Sequence, residues 1–223
     1  MKLLADGLYQ LRGFPPDAFN VYLAGDVLID AGSRYAARRI LRQLEGQQVR
    51  AHALTHVHPD HQGSSHEVCQ KLGVPYWVGE GDVKAAESGD MVTPQPDHPM
   101  PKLSQRFLAG PGHPVDRVLH EGDEVGGFTV LEVPGHSAGH LAFWREADRA
   151  LILGDIVLNV EPTTFLPTGL HQPANHFTPD PERNRDSARR LAKLEPALIC
   201  FGHGPPLRDT KKFTDFVAGL PGA

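Results

Sequence analysis

Only two of the 223 residues are cysteine, Cys69 and Cys200. Two thiols are too few for a disulfide framework and suit a reducing compartment. Both stand among apolar residues, as ordinary buried thiols do. Positive charge is not in excess either, since the formal net charge is −5. Nucleic-acid enzymes draw most of their affinity from Lys and Arg on phosphates. Here the basic residues are scattered, and the short run at Arg189, Arg190 and Lys193 reads as a solvated helix face. Long apolar runs are missing too. Met1-Lys2-Leu3-Leu4-Ala5 opens like a leader, but Asp6 and Gly7 end it before an apolar region develops. No segment approaches the roughly 20 apolar residues that a membrane span needs. There is no internal repeat, low-complexity tract or linker. The expectation is one cytoplasmic domain over residues 1–223, long enough to bury a core without staples, with no nucleic-acid or membrane partner.

Histidine, by contrast, is plentiful, with 13 in the chain. Residues 55–63 read Thr55-His56-Val57-His58-Pro59-Asp60-His61-Gln62-Gly63, so three histidines and one aspartate fall within six positions. Such a cluster is costly unless something binds it, and imidazole with carboxylate is the ligand set of zinc, manganese or iron. On an extended segment, residues two apart point the same way. His56, His58 and Asp60 are then expected on one side and His61 elsewhere.

The surroundings alternate between strand and helix. Val21–Ala24 and Val27–Asp30 flank Gly25-Asp26 as a hairpin. Ala36, Ala37, Ile40, Leu41 and Leu44 predict a helix over 35–45. Ala51–Leu54 predicts a buried strand entering the histidine cluster. Ser64 and Glu67 carry a capping-box pattern before a helix bearing Val68, Cys69 and Leu72. Further strands are expected at 75–78, 128–133, 141–144, 150–153 and 197–200. Helices are expected after Asp180-Pro181 and over 212–220. Two stretches predict irregular structure. One is 88–115, where six prolines fall between Pro94 and Pro114 and the chain is either a flexible insertion or a loop over the site. The other is 159–180.

Three more segments place a polar residue directly after a glycine at a predicted strand end: Val133-Pro134-Gly135-His136, Leu153-Gly154-Asp155 and Phe201-Gly202-His203. Glycine permits a tight turn and close backbone approach. With these in order behind His56-Val57-His58-Pro59-Asp60-His61, the chain resembles the metallo-β-lactamase fold superfamily, in its glyoxalase II-like hydrolase branch. The resemblance spans about residues 20–205. It implies an α/β fold, a four-layer αβ/βα sandwich of two mixed β-sheets flanked by helices. It implies that His56, His58 and His136 hold one metal, that Asp60, His61 and His203 hold a second, and that Asp155 bridges them. The cofactors implied are two divalent ions, zinc foremost, with manganese or iron as alternatives. A hydroxide shared by the metals would attack a small ester, thioester or lactone, and Asp60 would orient it.

Departures from the family narrow the choice. β-Lactamases of this fold commonly carry cysteine or serine where Asp155 stands. The ribonuclease branch brings a basic surface not seen here. Glyoxalase II proper adds a C-terminal glutathione-binding region, whereas about 20 residues follow His203 in this sequence. Quorum-signal lactonases place a tyrosine near the bridging aspartate, where this chain has Ile156-Val157-Leu158-Asn159. The alternatives are a persulfide dioxygenase using one iron at His56, His136 and Asp155, and a non-catalytic metal-binding scaffold. A small-molecule substrate is expected, and a homo-oligomer is open. Of the remaining histidines, His52 reads as structural and His66 as lying on the outside of its helix. His98, His113 and His120 have no evident partner, and His140 reads either as support for the site or as packing. His171 and His176, in the loop with Phe165, Leu166, Leu170 and Phe177, are candidates for substrate contact.

Overall fold

The computed structural model describes every residue except Thr163, Phe165 and Ala223. A seven-stranded sheet runs in chain order through β1 (Lys2–Ala5), β2 (Leu8–Gln10), β3 (Tyr22–Ala24), β4 (Val27–Ile29), β5 (Ala51–Ala53), β6 (Tyr76–Gly79) and β7 (Arg117–Leu119). Its first four strands are antiparallel and β4 to β7 are parallel. A five-stranded sheet holds β8 (Glu124–Val125), β9 (Phe128–Glu132), β10 (Leu141–Arg145), β11 (Ala150–Gly154) and β12 (Leu198–Phe201) in the order β12-β11-β10-β9-β8. Only its β11–β12 pair is parallel. The helices are α1 (Ala37–Leu44), α2 (Pro59–Gln62), α3 (Ser65–Leu72), α4 (Val83–Ser88), α5 (Pro99–Leu108), α6 (Pro181–Ala192) and α7 (Thr210–Ala218).

The period of two along each strand builds the layers. Val27 and Ile29 face the other sheet and join Phe128, Val130, Phe143 and Ile152 in the central core. Leu28, between them, packs outward with Ile40 and Leu44 of α1. On the second sheet, Ala150 and Ile152 point inward, while Leu151 and Leu153 meet Leu191 of α6 and Phe213 of α7. Both faces of β11 and β12 are therefore covered, and all their residues are buried. The result is the expected α/β sandwich, with two mixed sheets between helical layers.

Three local expectations are corrected. The proline-rich stretch contains α5, because Pro99 and Pro101 occupy its first turn, where backbone N–H groups have no helical partner to lose. His98 Nδ1 caps it by accepting from Met100 N. Ser64 does not form the capping box; its hydroxyl donates to Ser33 O and accepts from Ala36 N, tying α3 to the turn before α1. The histidine segment is extended only as far as His58, and Pro59 then opens the short α2 turn that carries Asp60 and His61. Asp180, by contrast, caps α6 as expected, accepting from Arg183 N with Pro181 at the first helical position. Strands β1, β2, β7 and β8 have two to four residues each and lacked an apolar run to announce them.

His52 is structural, as expected. It is fully buried, with Nδ1 against Leu28 O and Nε2 against Ser65 Oγ. Burial pushes its pKa down to about 4. The unfolded chain protonates this ring as the pH falls below its ordinary value of about 6.5, while the folded chain holds it neutral. Stability is therefore expected to fall with pH between about 6.5 and 4, with His52 contributing about 3 kcal/mol to the loss. Urea unfolding of metal-free protein at pH 7 and pH 4.5 measures it. His52→Gln should flatten the slope, and an unchanged slope would remove His52 from the account.

Candidate metal centre

Four strand ends converge at one end of the sandwich. The segment after β5 brings His56, His58, Asp60 and His61 from the first sheet. The ends of β9, β11 and β12 bring His136, Asp155 and His203 from the second. Two of the glycines noted in the sequence have a definite task here. Gly154 adopts φ +60, and a Cβ on it would lie 2.4 Å from His140 Nε2. A Cβ on Gly202 would lie 1.9 Å from Asp155 Oδ1 and 2.7 Å from His61 Cε1.

All seven sequence-predicted residues come together. His56, His58 and His136 offer ligand atoms within 4.8 Å of one another, as do Asp60, His61 and His203; so too do His56, His61 and Asp155. Asp155 Oδ2 stands between the groups, 2.9 Å from His203 Nε2 and 3.6 Å from both His61 Nε2 and His136 Nε2. All are buried except Asp60, which is half-buried. His136 Nε2 and Asp155 Oδ1 are buried without a hydrogen-bond partner among the described residues. Orphaned buried polar atoms are costly, and a bound cation is the kind of partner that would offset that cost.

The outward ring atoms are tied down, which turns the remaining nitrogens toward the centre. His56 Nδ1 meets Thr55 Oγ1 at 3.0 Å, and that hydroxyl donates to Asp30. His61 Nδ1 meets Asp30 Oδ2 at 2.9 Å. His136 Nδ1 meets Thr178 Oγ1 at 3.1 Å, and that hydroxyl donates to Ala174 O. His203 Nδ1 meets Ala18 O. His58 Nε2 lies 2.7 Å from the Gln95 amide nitrogen, while Gln95 Oε1 has no partner. With the two amide atoms exchanged, the ring Nε2–H donates to Oε1, and Nδ1 faces the centre. The donor set thus fits divalent metal. Gln95→Ala is expected to weaken metal binding about 10–100-fold, the usual cost of losing a partner behind a ligand. Chelator competition measures it, and unchanged affinity would leave Gln95 incidental.

Charge is partitioned sharply. Burial and the neighbouring imidazoles hold His56 well below the ordinary imidazole range. Burial, followed by His58, does the same to His136, against a partial offset from Asp155. Burial takes His58 down to about 4. Burial also opposes charge on His203, but Asp155 and Asp60 outweigh it and push its pKa up to about 10. Asp155 and Asp30 likewise raise His61. Asp60 is lowered to about 2, its burial outweighed by the His203 hydrogen bond and by His61.

Two supporting carboxylates escaped the sequence reading. Asp30, at the end of β4, accepts from Thr55 N and holds His61; it ends an apolar strand run as Asp155 does, but no glycine precedes it to mark it. Asp82 accepts from Val57 N, Ser137 Oγ and Gly139 N, tying the first histidine segment to the loop of His136. No sequence pattern marked it. His140 stacks on His56 with centroids 4.6 Å apart and meets Leu153 O through Nε2. It therefore both packs and supports the site. His98, His113 and His120, for which the sequence named no partner, meet His176, His66 and Glu132 respectively. His66 is half-buried rather than outside.

A cavity of about 570 Å³ opens over the centre, lined by His58, Asp60, His136, Asp155 and His203 and by apolar side chains. His176 lines it. His171 does not; its backbone pairs with Leu158 and its Nε2 meets Thr168 Oγ1. Phe165 lies outside the described residues. Neither cysteine lines the cavity, and burial raises both thiols, Cys69 to about 12.

Residues 16–203 match the model of the metallo-beta-lactamase superfamily, and the chain belongs to that superfamily, as an enzyme of its metallo-hydrolase class. Over 203 residues it is 33% identical to the probable metallo-hydrolase YflN of Bacillus subtilis (strain 168), covering 81% of this chain and 76% of that protein. Over 152 residues it is 27% identical to a hydroxyacylglutathione hydrolase of Bdellovibrio bacteriovorus, covering 66% of this chain and 46% of that one. Among solved structures, TTHA1623 in a di-iron-bound form superposes with a TM-score of 0.65 at 30% identity, covering 86% of this chain and 91% of that one. Among the described residues, no helix is long and apolar enough to cross a membrane.

Proposed function

We propose that the protein is a dinuclear metal-dependent hydrolase of a small ester, thioester or lactone. His56, His58 and His136 would hold one ion, Asp60, His61 and His203 the other, and Asp155 would bridge. The observation that carries this reading is Asp155 Oδ2, in reach of His61, His136 and His203 together, with Oδ1 left orphaned. Bound there, a pair of divalent cations supplies Lewis acidity and brings the pKa of a shared water toward neutrality.

The chain's own residues do the rest. Asp60 lines the cavity and stands 3.2 Å from His203 Nε2, and from there it would orient the attacking water. Asp30 and Asp82 fix the ligand segments before substrate arrives, so little reorganisation remains for the reaction. The buried thiols are too far from their ionised state to serve as nucleophiles, which supports direct attack by water.

Elemental analysis of freshly purified protein tests the reading. About two zinc or manganese ions per chain, with metal-dependent turnover in an ester, thioester and lactone panel, supports it. About one iron per chain, with oxygen uptake on a persulfide, would replace it with the dioxygenase reading.

A further inference from the structure

We propose that the site selects substrates whose acyl arm is an uncharged aliphatic chain, seated along α5; this rests on the hydrolase reading above. The cavity, about 570 Å³, lies within the roughly 300–1,000 Å³ range of small-molecule sites. One wall is built by Met100, Leu103 and Phe107, spaced at i, i+3 and i+7 and therefore on one face of α5. These three side chains are 42%, 49% and 52% exposed, although each is large and apolar. A grouped apolar face left open to water beside a reactive centre marks a binding surface. Leu158 and Phe177 face the same space from the segments following β11.

The walls also say what is unwelcome. No Lys or Arg is among the described lining residues. A carboxylate or phosphate on the acyl arm would be stripped of water against Leu103 and Phe107, where no Lys or Arg lines the wall to pair with it. An aliphatic arm has neither penalty. The reaction balances as ordinary hydrolysis: the water oxygen bonds to the acyl carbon, the C–O or C–S bond breaks, and the leaving alcohol or thiol takes a proton.

The test uses the metal-loaded full chain and 4-nitrophenyl esters of acetate, butyrate, hexanoate and succinate. From acetyl to hexanoyl, kcat/KM should rise about fourfold per methylene, the equivalent of about 0.8 kcal/mol for each buried CH₂. The succinyl ester, an anionic match in length for butyryl, should fall at least about tenfold below it. Leu103→Lys, at a half-exposed position that tolerates a long polar side chain, should lower the hexanoyl-to-acetyl ratio about tenfold and raise the succinyl-to-butyryl ratio.

A second measurement needs no turnover. The melting temperature of metal-free protein should rise with 2-nonanone more than with 2-butanone at equal concentration, and Leu103→Lys should abolish the difference. A flat chain-length profile, or preference for succinyl, would overturn the aliphatic-arm proposal and leave the hydrolase reading standing. Absence of metal-dependent turnover on every ester, and on the thioester and lactone panel, would overturn the hydrolase reading, and the ketone shifts would still decide the cavity's preference.

Discussion

Gly202→Ala is expected to empty the metal centre while leaving the chain folded. The new Cβ would sit 1.9 Å from Asp155 Oδ1 and 2.7 Å from His61 Cε1. The backbone cannot retreat, because Gly202 N donates to Gly154 O at 2.8 Å and Gly202 O accepts from Asn20 N at 2.9 Å. The strain therefore falls on Asp155 and His61. Overpacking of this kind costs about 1–3 kcal/mol, within what a folded domain survives. A metal site tolerates displacements of only about 0.5 Å, and a 1 Å error in a reacting group costs about 100-fold in rate. Bound metal should fall from about two ions per chain to well below one, with activity at least about 100-fold down. Circular dichroism and elemental analysis together decide it, and full metal content in a folded variant would contradict the geometry.

Asp155→Asn should be nearly as damaging for a different reason. The amide keeps the shape and loses the charge. The proposed bridge then offers one neutral oxygen, and metal content should drop to about one ion per chain or less, with activity more than about 100-fold down. The same charge holds the His203 pKa up at about 10 in the metal-free protein. A raised imidazole pKa contributes stability that is fully present below about pH 6.5 and fades as the pH rises toward 10. The metal-free variant should accordingly fall furthest below the unsubstituted protein near pH 6, and the gap should narrow toward pH 10. Chemical denaturation across that range reads it. A gap that widened with pH would reverse the sign of the His203–Asp155 coupling.

The site was more legible than the path that builds it. Every proposed ligand lies just beyond a strong apolar strand or inside a dense motif, so its residue type and neighbours marked it. Asp82 had no such mark, because its task is defined by Val57, Ser137 and Gly139, two of which lie more than fifty residues away in sequence. The same holds for Gln95, whose partner His58 is 37 residues away. Helix α5 was hidden because prolines are usually read as breakers wherever they fall, whereas Pro99 and Pro101 fall where a helix tolerates them. The two-sheet core was legible in the alternation at Val27, Leu28 and Ile29 and again from Ala150 to Leu153. The short strands β1, β2, β7 and β8 were not, since pairing with a neighbour, rather than their own composition, makes them strands.

The proposed ligands are divided between the two sheets, four from the first and three from the second. Neither sheet holds a complete set for two ions, so the spacing of the sandwich is itself part of the coordination geometry. Tyr22 on the first sheet and Asn20 just before its strand already donate to Phe201 O on the second, at 2.7 and 2.9 Å, immediately beside Gly202 and His203. A substitution at Ile29 or Phe143 that slid one sheet across the other would thus be felt first as a change in metal affinity. In such an arrangement, the central core acts as a gauge block for the chemistry at its rim.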